Sequence, residues 1–397
     1  MRKNLKNSLE LELMRVGIDA TIIENKQPTG MAVYALNVIQ ELAKLCNDLV
    51  VWVVEDEILN IPCKFKRPVL QGFKKLKSNF YLARAVWAQV YLPKLLLKEK
   101  ADIFFSPIPE GILNPPIPQV VVMHDLVPIF YPKDAPLLRR LSFRYRIPNI
   151  LKNSAGIIAV SHFTKKEMCR FYKINKEKIF VIHEGYDKEH FKPQPSHKMQ
   201  SILDKYNLFK DNYILFIGNF TPRKNILNLI RAYKILVDKG YDKFLVLAGN
   251  KNVNKNYTQK IEQLVEELNL KEKVRFLDYV PYADLPALYS GASVFVYPSY
   301  YEGFGLPILE AMACGTPVAT STKSSLPEIC GNSVLSAEPK NVKEMALKIL
   351  QILDDRNLSK ALIHRGLERV KFFSWSQTAS KILKVMQKTI YSPKAFL

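Results

Sequence analysis

The stretch "YILFIGNFTPRKNILNLIRAYKILVDKGYDKFLVLAG", residues 213–249, decides the fold. It opens on a short apolar run, Tyr213 to Ile217, that reads as a strand closed by Gly218. Ile226, Leu229, Ile230, Tyr233 and Val237 then recur on one helical stripe, and Gly240 ends it. A second apolar run, Phe244 to Ala248, completes strand, helix, strand, the pattern of an α/β layer with parallel strands.

Working outward, the same alternation continues. Further strands are predicted at "VRFLDYV", "VFVYPS" and "TPVATS" on the C-terminal side. A first block carries strands at "RVGIDA", "LVVWVV", "DIFFS", "QVVVMHD" and "GIIAVS", with a helix at "MAVYALNVIQELAKL". Between the blocks, residues 187–200 ("DKEHFKPQPSHKMQ") interrupt the pattern with prolines and charges and are read as an interdomain linker. Two α/β domains bind ligands at the carboxyl ends of their strands, so a cleft between them is the expected site.

Composition bounds the function. At 397 residues the chain fits two ordinary domains. No apolar run is long enough to cross a bilayer, and "MRKNLKNSLELELMRV" lacks the apolar core of a signal peptide, so a cytoplasmic protein is expected. Five scattered cysteines with no C-x-x-C pair argue against a disulfide framework or a thiolate metal site.

A net charge of +21 points to an anionic partner: nucleic acid, lipid headgroups or a phosphorylated substrate. Residues 64–100 concentrate ten Lys or Arg against one acidic residue, interleaved with Phe73, Phe80, Tyr81, Trp87 and Tyr91. That segment reads either as a surface for an anionic membrane or as an ordinary helix with a solvated basic face. A nucleic-acid-binding protein is the reading that charge alone would allow, but no helix-turn-helix, zinc or aromatic RNA-binding motif accompanies it.

Chemistry-bearing motifs sit at predicted strand ends. After "YILFIG", Gly218 tightens the turn, and Arg223 and Lys224 precede a helix, a combination suited to a diphosphate. Gly30 opens the helix of "TGMAVYALNVIQEL" and could bring a bare amide to a phosphate. No G-x-G-x-x-G follows the first strand, which disfavours a nicotinamide dehydrogenase. His124 and Asp125 close "QVVVMHD", placed either for ligand contact and proton management or simply for hydrogen bonding and capping. Finally "YYEGFGLPILEAMACGTP", residues 300–317, holds Glu302 in a Gly-Phe-Gly turn and Glu310 about one turn into a helix beginning near Pro307. Carboxylates near a helix start also satisfy the macrodipole, so the pair alone does not choose a function.

Together the motifs resemble the retaining glycosyltransferases of family 4, also called group 1, with GT-B architecture: two Rossmann-like domains facing each other across a cleft. The resemblance runs from "RVGIDA" to "FFSWSQTASKILKVM" and includes the Glu, seven residues, Glu signature at Glu302 and Glu310, "TGMAVYALNVIQEL", "HDLVPIFYP", "IIAVSHFTKKEM", "GNFTPRKN" and "SSLPEICG".

It implies an acceptor-side domain at 1–190, a nucleotide-sugar domain at 191–374, and a C-terminal helix at about 375–397 packing back on the first domain. It further implies that Glu310 binds the ribose of a nucleotide sugar. Glu302 and the amides of Gly303, Phe304, Gly305 and Leu306 would face the sugar and diphosphate. Arg223 and Lys224 would clamp the diphosphate, with Gly30 supplying an amide and His124 lying beside the donor sugar.

Asn219 stands where many members carry Arg, a change shared by "PRKN" subfamilies that include mannosyltransferases. The implied activity is metal-independent, retaining transfer of a hexose, mannose foremost, to a glycan or lipid-linked acceptor. GDP-mannose is the favoured donor and a UDP-sugar the next; the donor is a substrate and no cofactor is implied. A sugar-nucleotide epimerase or hydrolase of the same fold is the alternative. Peripheral contact with an anionic membrane through residues 64–100 is expected, and nucleic acid is not.

Overall fold

The structure, a computed structural model, describes residues 14–23, 30–54, 64–66 and 80–391. Phe73 therefore lies outside the described residues. The chain divides into two compact units. Unit 1 holds the residues up to Ile129, then Leu137–Gly185, then those from Trp375 on; unit 2 holds Phe130–Pro136 and Tyr186–Ser374.

Unit 1 is a seven-stranded parallel sheet in the order β3-β2-β1-β4-β5-β6-β7. Its strands are β1 (Val16–Asp19), β2 (Leu49–Trp52), β3 (Lys64–Lys66), β4 (Ile103–Ser106), β5 (Gln119–Met123), β6 (Gly156–Ala159) and β7 (Ile179–Val181). The inner strands β1, β2 and β4 to β6 are buried at every position, as expected of strands covered on both faces. Helix α1 (Met31–Leu45) sets Tyr34, Val38, Ile39 and Leu42 into the core. The C-terminal helix Trp375–Tyr391 packs on α1, and Thr378 Oγ1 donates to the His183 carbonyl at 2.7 Å.

Within residues 64–100, helix α2 (Phe80–Val90) is partly buried, and residues 67–79 lie outside the described residues. Trp87 lies in the core and Arg84 is buried, because α2 and the next helix, Leu92–Lys98, share one core cluster with strands of the sheet. Leu82, Val86, Val90 and Tyr91 remain exposed.

Unit 2 is a six-stranded parallel sheet in the order β10-β9-β8-β11-β12-β13. It comprises β8 (Tyr213–Ile217), β9 (Phe244–Ala248), β10 (Val274–Leu277), β11 (Val294–Tyr297), β12 (Val318–Ser321) and β13 (Leu335–Ala337). Residues 187–200 are not linker throughout: α3 (Ser196–Lys205) begins after Pro195, because Met199 and Leu203, four apart, reach the core. Helix α4 (Ile226–Asp238) follows β8. It buries Ile226, Leu229, Ile230 and Tyr233, with Leu236 fully buried and Val237 only half-buried. Gly240 ends it with φ +87°, the left-handed conformation that glycine adopts without strain.

Candidate functional site

In unit 2 the strand order reverses between β8 and β11, so the turns after these two strands open into one crevice at their carboxyl ends. The first turn is tightly built. Gly218 N donates to the Ala248 carbonyl at 2.9 Å, and a Cβ on Gly249 would lie 2.1 Å from Gly218 O, so the turns after β8 and β9 meet this closely only with glycine at 249. A 3₁₀ turn, Pro222–Lys224, follows. Asn225, left-handed at φ +63°, donates its side-chain amide to the carbonyls of Pro298 (3.1 Å) and Pro339 (2.6 Å). That amide fastens the cation-bearing turn to the end of β11.

Across this junction Glu302 Oε1 accepts from Lys224 Nζ at 2.7 Å and from Arg223 Nη1 at 2.8 Å. Arg223 Nη1 also donates to Tyr301 O at 3.0 Å, and Lys224 Nζ to the Tyr297 hydroxyl, with the ammonium 4.5 Å from the ring centre. Lys224 and Glu302 are both buried. Burial by itself raises a carboxyl pKa, but Arg223 and Lys224 overcome it and hold Glu302 down at about 2. The group is an anion at every physiological pH.

Asp134, from the short turn Pro132–Asp134, places Oδ2 3.7 Å from Arg223 Nε, while Phe130 and Tyr131 pack their rings on Tyr301. Burial lifts the Asp134 pKa and Arg223 opposes it; the balance remains raised.

The second half of the motif forms α5 (Leu306–Ala313), with Gly305 as its N-cap at φ +121°. A Cβ there would meet Leu326 Cδ2 at 2.9 Å. Ser325 Oγ bonds the carbonyls of Glu302 (3.0 Å) and Phe304 (2.7 Å) and fixes the Gly-Phe-Gly turn. No side chain caps α5, so the helix presents its N-terminal amide end without one. Glu310 sits one turn on and accepts from the Tyr289 hydroxyl at 2.9 Å. Burial raises its pKa to about 7, the Tyr289 bond opposing only weakly.

Of the predicted residues in unit 2, Glu302, Arg223 and Lys224 come into direct contact, Gly218 and Gly303–Leu306 build the turns beside them, and Glu310 faces Tyr289. In unit 1, Gly30 has φ +52° and ψ −113°, with open space where a Cβ would stand, and begins α1 without a side-chain cap. His124 is buried, with Nδ1 3.2 Å from Glu184 Oε1 and Nε2 2.9 Å from Pro107 O. Burial disfavours the imidazolium, but Glu184 and the Pro107 carbonyl outweigh it and raise the pKa. Both ring nitrogens are therefore engaged within unit 1. Sequence reading missed Asp134, Tyr297 and Tyr289. Only the "HDLVPIFYP" motif, which ends two residues before Asp134, carried any signal of the first.

Two Rossmann-like parallel sheets, the second gathering cations and a glycine turn at its switch point, are the two halves of the GT-B fold of glycosyltransferases. The chain belongs to glycosyltransferase family 4: the Glycosyl transferases group 1 profile matches residues 199–369 and the Glycosyltransferase Family 4 profile residues 28–190. It is 35% identical over 269 residues to O-antigen chain mannosyltransferase B of Escherichia coli, spanning 66% of this chain and 68% of that one. Among solved structures it resembles sucrose-phosphate synthase from Thermosynechococcus elongatus (TM-score 0.74, 22% identity, 94% and 98% of the two chains). It also resembles Anabaena Alr3699/HepE in complex with UDP-glucose (TM-score 0.74, 17% identity, 94% and 100%). Among the described residues no helix is long and apolar enough to cross a membrane.

Proposed function

We propose that this glycosyltransferase moves mannose from GDP-mannose, with a UDP-sugar the next candidate, to a glycan or lipid-linked acceptor, retaining anomeric configuration and requiring no metal. The observation that carries the reading is the Lys224–Glu302–Arg223 cluster at the β8–β11 switch point. A diphosphate would share the two cations with Glu302 and meet the amide end of α5, so the charge that grows as the nucleoside diphosphate leaves finds donors already in place. These groups would supply what a divalent cation supplies elsewhere. The leaving phosphate would take the acceptor proton, in keeping with retention. Glu310, its carboxyl near neutrality, would hydrogen-bond the ribose hydroxyls.

The likeness to an O-antigen mannosyltransferase supports mannose; the UDP-glucose complex of a structural relative keeps UDP-sugars second. The roles of Gly30 at the phosphates and His124 beside the sugar rest on their sequence positions and the resemblance, and contact of residues 64–100 with an anionic membrane on the cytoplasmic side rests on the basic and aromatic residues of that segment. A thermal-shift panel of GDP-, UDP-, dTDP- and ADP-sugars tests the donor. GDP-mannose raises the melting temperature most, since a ligand at 100 times its Kd adds about 2.7 kcal/mol of stability. A panel in which no nucleotide sugar moves the transition sinks the reading.

A further inference from the structure

The loop after β12, residues 322–325, carries a backbone outlier that the donor reading leaves unexplained. Several non-glycine residues have positive φ, and Lys100, Lys173, Asn207 and Asn269 among them come just after a helix, where the left-handed conformation is an ordinary way to end one. Asn225 and Ser324, at +63° and +58°, instead flank the Glu302 cluster. Asparagine enters this region readily. Serine does so at a cost, because its Cβ crowds the backbone without the carboxamide that compensates asparagine.

The hydrogen bonds show what the conformation achieves. Ser324 Oγ accepts from Glu302 N at 3.1 Å and donates to the Lys323 carbonyl at 2.7 Å, so one half-buried hydroxyl is used in both directions. Ser325 Oγ takes the carbonyl of the same residue. Consecutive serines thus grip Glu302 at its N–H and its C=O, while its carboxylate meets Lys224 and Arg223.

The loop is also tied on its far side. Lys323 N donates to Ser321 Oγ at 3.0 Å, and Lys323 Nζ lies 2.6 Å from Glu338 Oε2. A strained residue persists where its surroundings over-determine it, and such residues gather where precise geometry serves a ligand.

We propose that Ser324 is a positioning residue for the donor: its strained backbone aims a hydroxyl at Glu302 N and so sets the turn whose amides, residues 303–306, meet the diphosphate. The inference rests on the donor reading above and adds to it a residue that acts through Glu302. Were the hydroxyl only a tie within the fold, glycine would serve at this position, since it adopts φ +58° without strain.

The test uses the full chain and two variants that both lack the hydroxyl but differ in strain, Ser324→Gly and Ser324→Ala. Thermal unfolding reads the strain, calorimetry reads GDP and UDP, and saturation-transfer NMR reads guanosine and uridine. Ser324→Gly melts above Ser324→Ala, because alanine keeps the strained conformation and glycine relieves it. Both variants nevertheless bind the preferred nucleoside diphosphate about threefold to tenfold more weakly than the wild type, the effect of one lost hydrogen bond, and bind its nucleoside unchanged. Affinity that follows stability, weak in Ser324→Ala and normal in Ser324→Gly, makes the serine a structural tie and overturns the proposal. So does a loss shared equally by nucleoside and diphosphate, or one melting temperature for both variants. Failure of the donor reading shows separately, as wild-type protein that binds neither GDP nor UDP, and takes this proposal with it.

Discussion

The two sheets reverse strand order at equivalent places, β1–β4 in unit 1 and β8–β11 in unit 2, but their charges are arranged in opposite ways. In unit 2 the cations are already satisfied: Glu302 lies 2.7 Å from Lys224 and 2.8 Å from Arg223, with Asp134 3.7 Å from Arg223. The proposed diphosphate would gain there by exchanging partners within a closed network. In unit 1, Asp19 and Arg84 are held through Thr21, Arg146 Nη2 donates to the Tyr81 hydroxyl at 3.4 Å, and Glu110 has no ion pair among the described residues. The same topological feature thus holds a closed network of ion pairs in one unit and hydrogen bonds through Thr21 and Tyr81 in the other.

The sharpest break of this contrast is a pair of isosteric changes. Glu302→Gln leaves two cations facing a neutral amide in a buried cluster and lowers urea-denaturation stability by about 3–5 kcal/mol. Glu110→Gln removes no partner and stays within about 0.5 kcal/mol. Equal losses from the two would erase the distinction. Next in size, Lys224→Ala lowers the rate of sugar transfer at saturating donor roughly 10²–10³-fold, the effect of losing a preorganised donor at developing charge. A variant that kept wild-type turnover would remove Lys224 from the chemistry.

The two carboxylates of the motif give a third prediction, through pH. Glu310 has its folded pKa raised from 4.5 to about 7, so the stability linked to it is complete below pH 4.5 and is lost as pH rises through 7. The wild type therefore loses roughly 2–3 kcal/mol relative to Glu310→Gln between pH 4.5 and 8. Parallel stability curves for the two proteins would contradict the buried environment of Glu310. Glu302 has the opposite sign: its stabilisation is present above pH 4.5 and disappears only as pH falls toward 2. The smallest effect belongs to Asp134→Asn. It relieves Arg223 of a competitor, changes stability by less than about 1 kcal/mol, and raises nucleoside diphosphate affinity a few-fold by calorimetry.

The interior of both sheets was legible because strands buried on two faces read as unbroken apolar runs, as in "QVVVM" and "FLVLA". The edge strands β3 ("KFK"), β7 ("IFV") and β13 ("LSA") escaped, since three residues at a sheet edge carry no such run. Helix α3 escaped for a different reason: prolines before it advertised a linker, while only Met199 and Leu203 recorded its buried face. At the site, the types and spacing of Glu302, Glu310, Arg223 and Lys224 stood in the chain, but their electrostatics did not. Glu302 is an anion and Glu310 near neutrality because β8 and β11 are neighbours, which sets Lys224 beside the first and leaves the second only Tyr289. Asp134 reaches Arg223 from nearly ninety residues upstream, a juxtaposition no local pattern encodes.

The path of the chain has a consequence for its own synthesis. The long segment of unit 2, Tyr186–Ser374, is contiguous, whereas unit 1 needs Trp375–Tyr391 to close over α1, where the Trp375 and Tyr34 rings stand 5.6 Å apart. When translation has reached residue 374, every residue of unit 2 has been made and unit 1 still lacks a wall of its core. The half of the protein that is synthesised first therefore cannot complete its core until the last helix has been made.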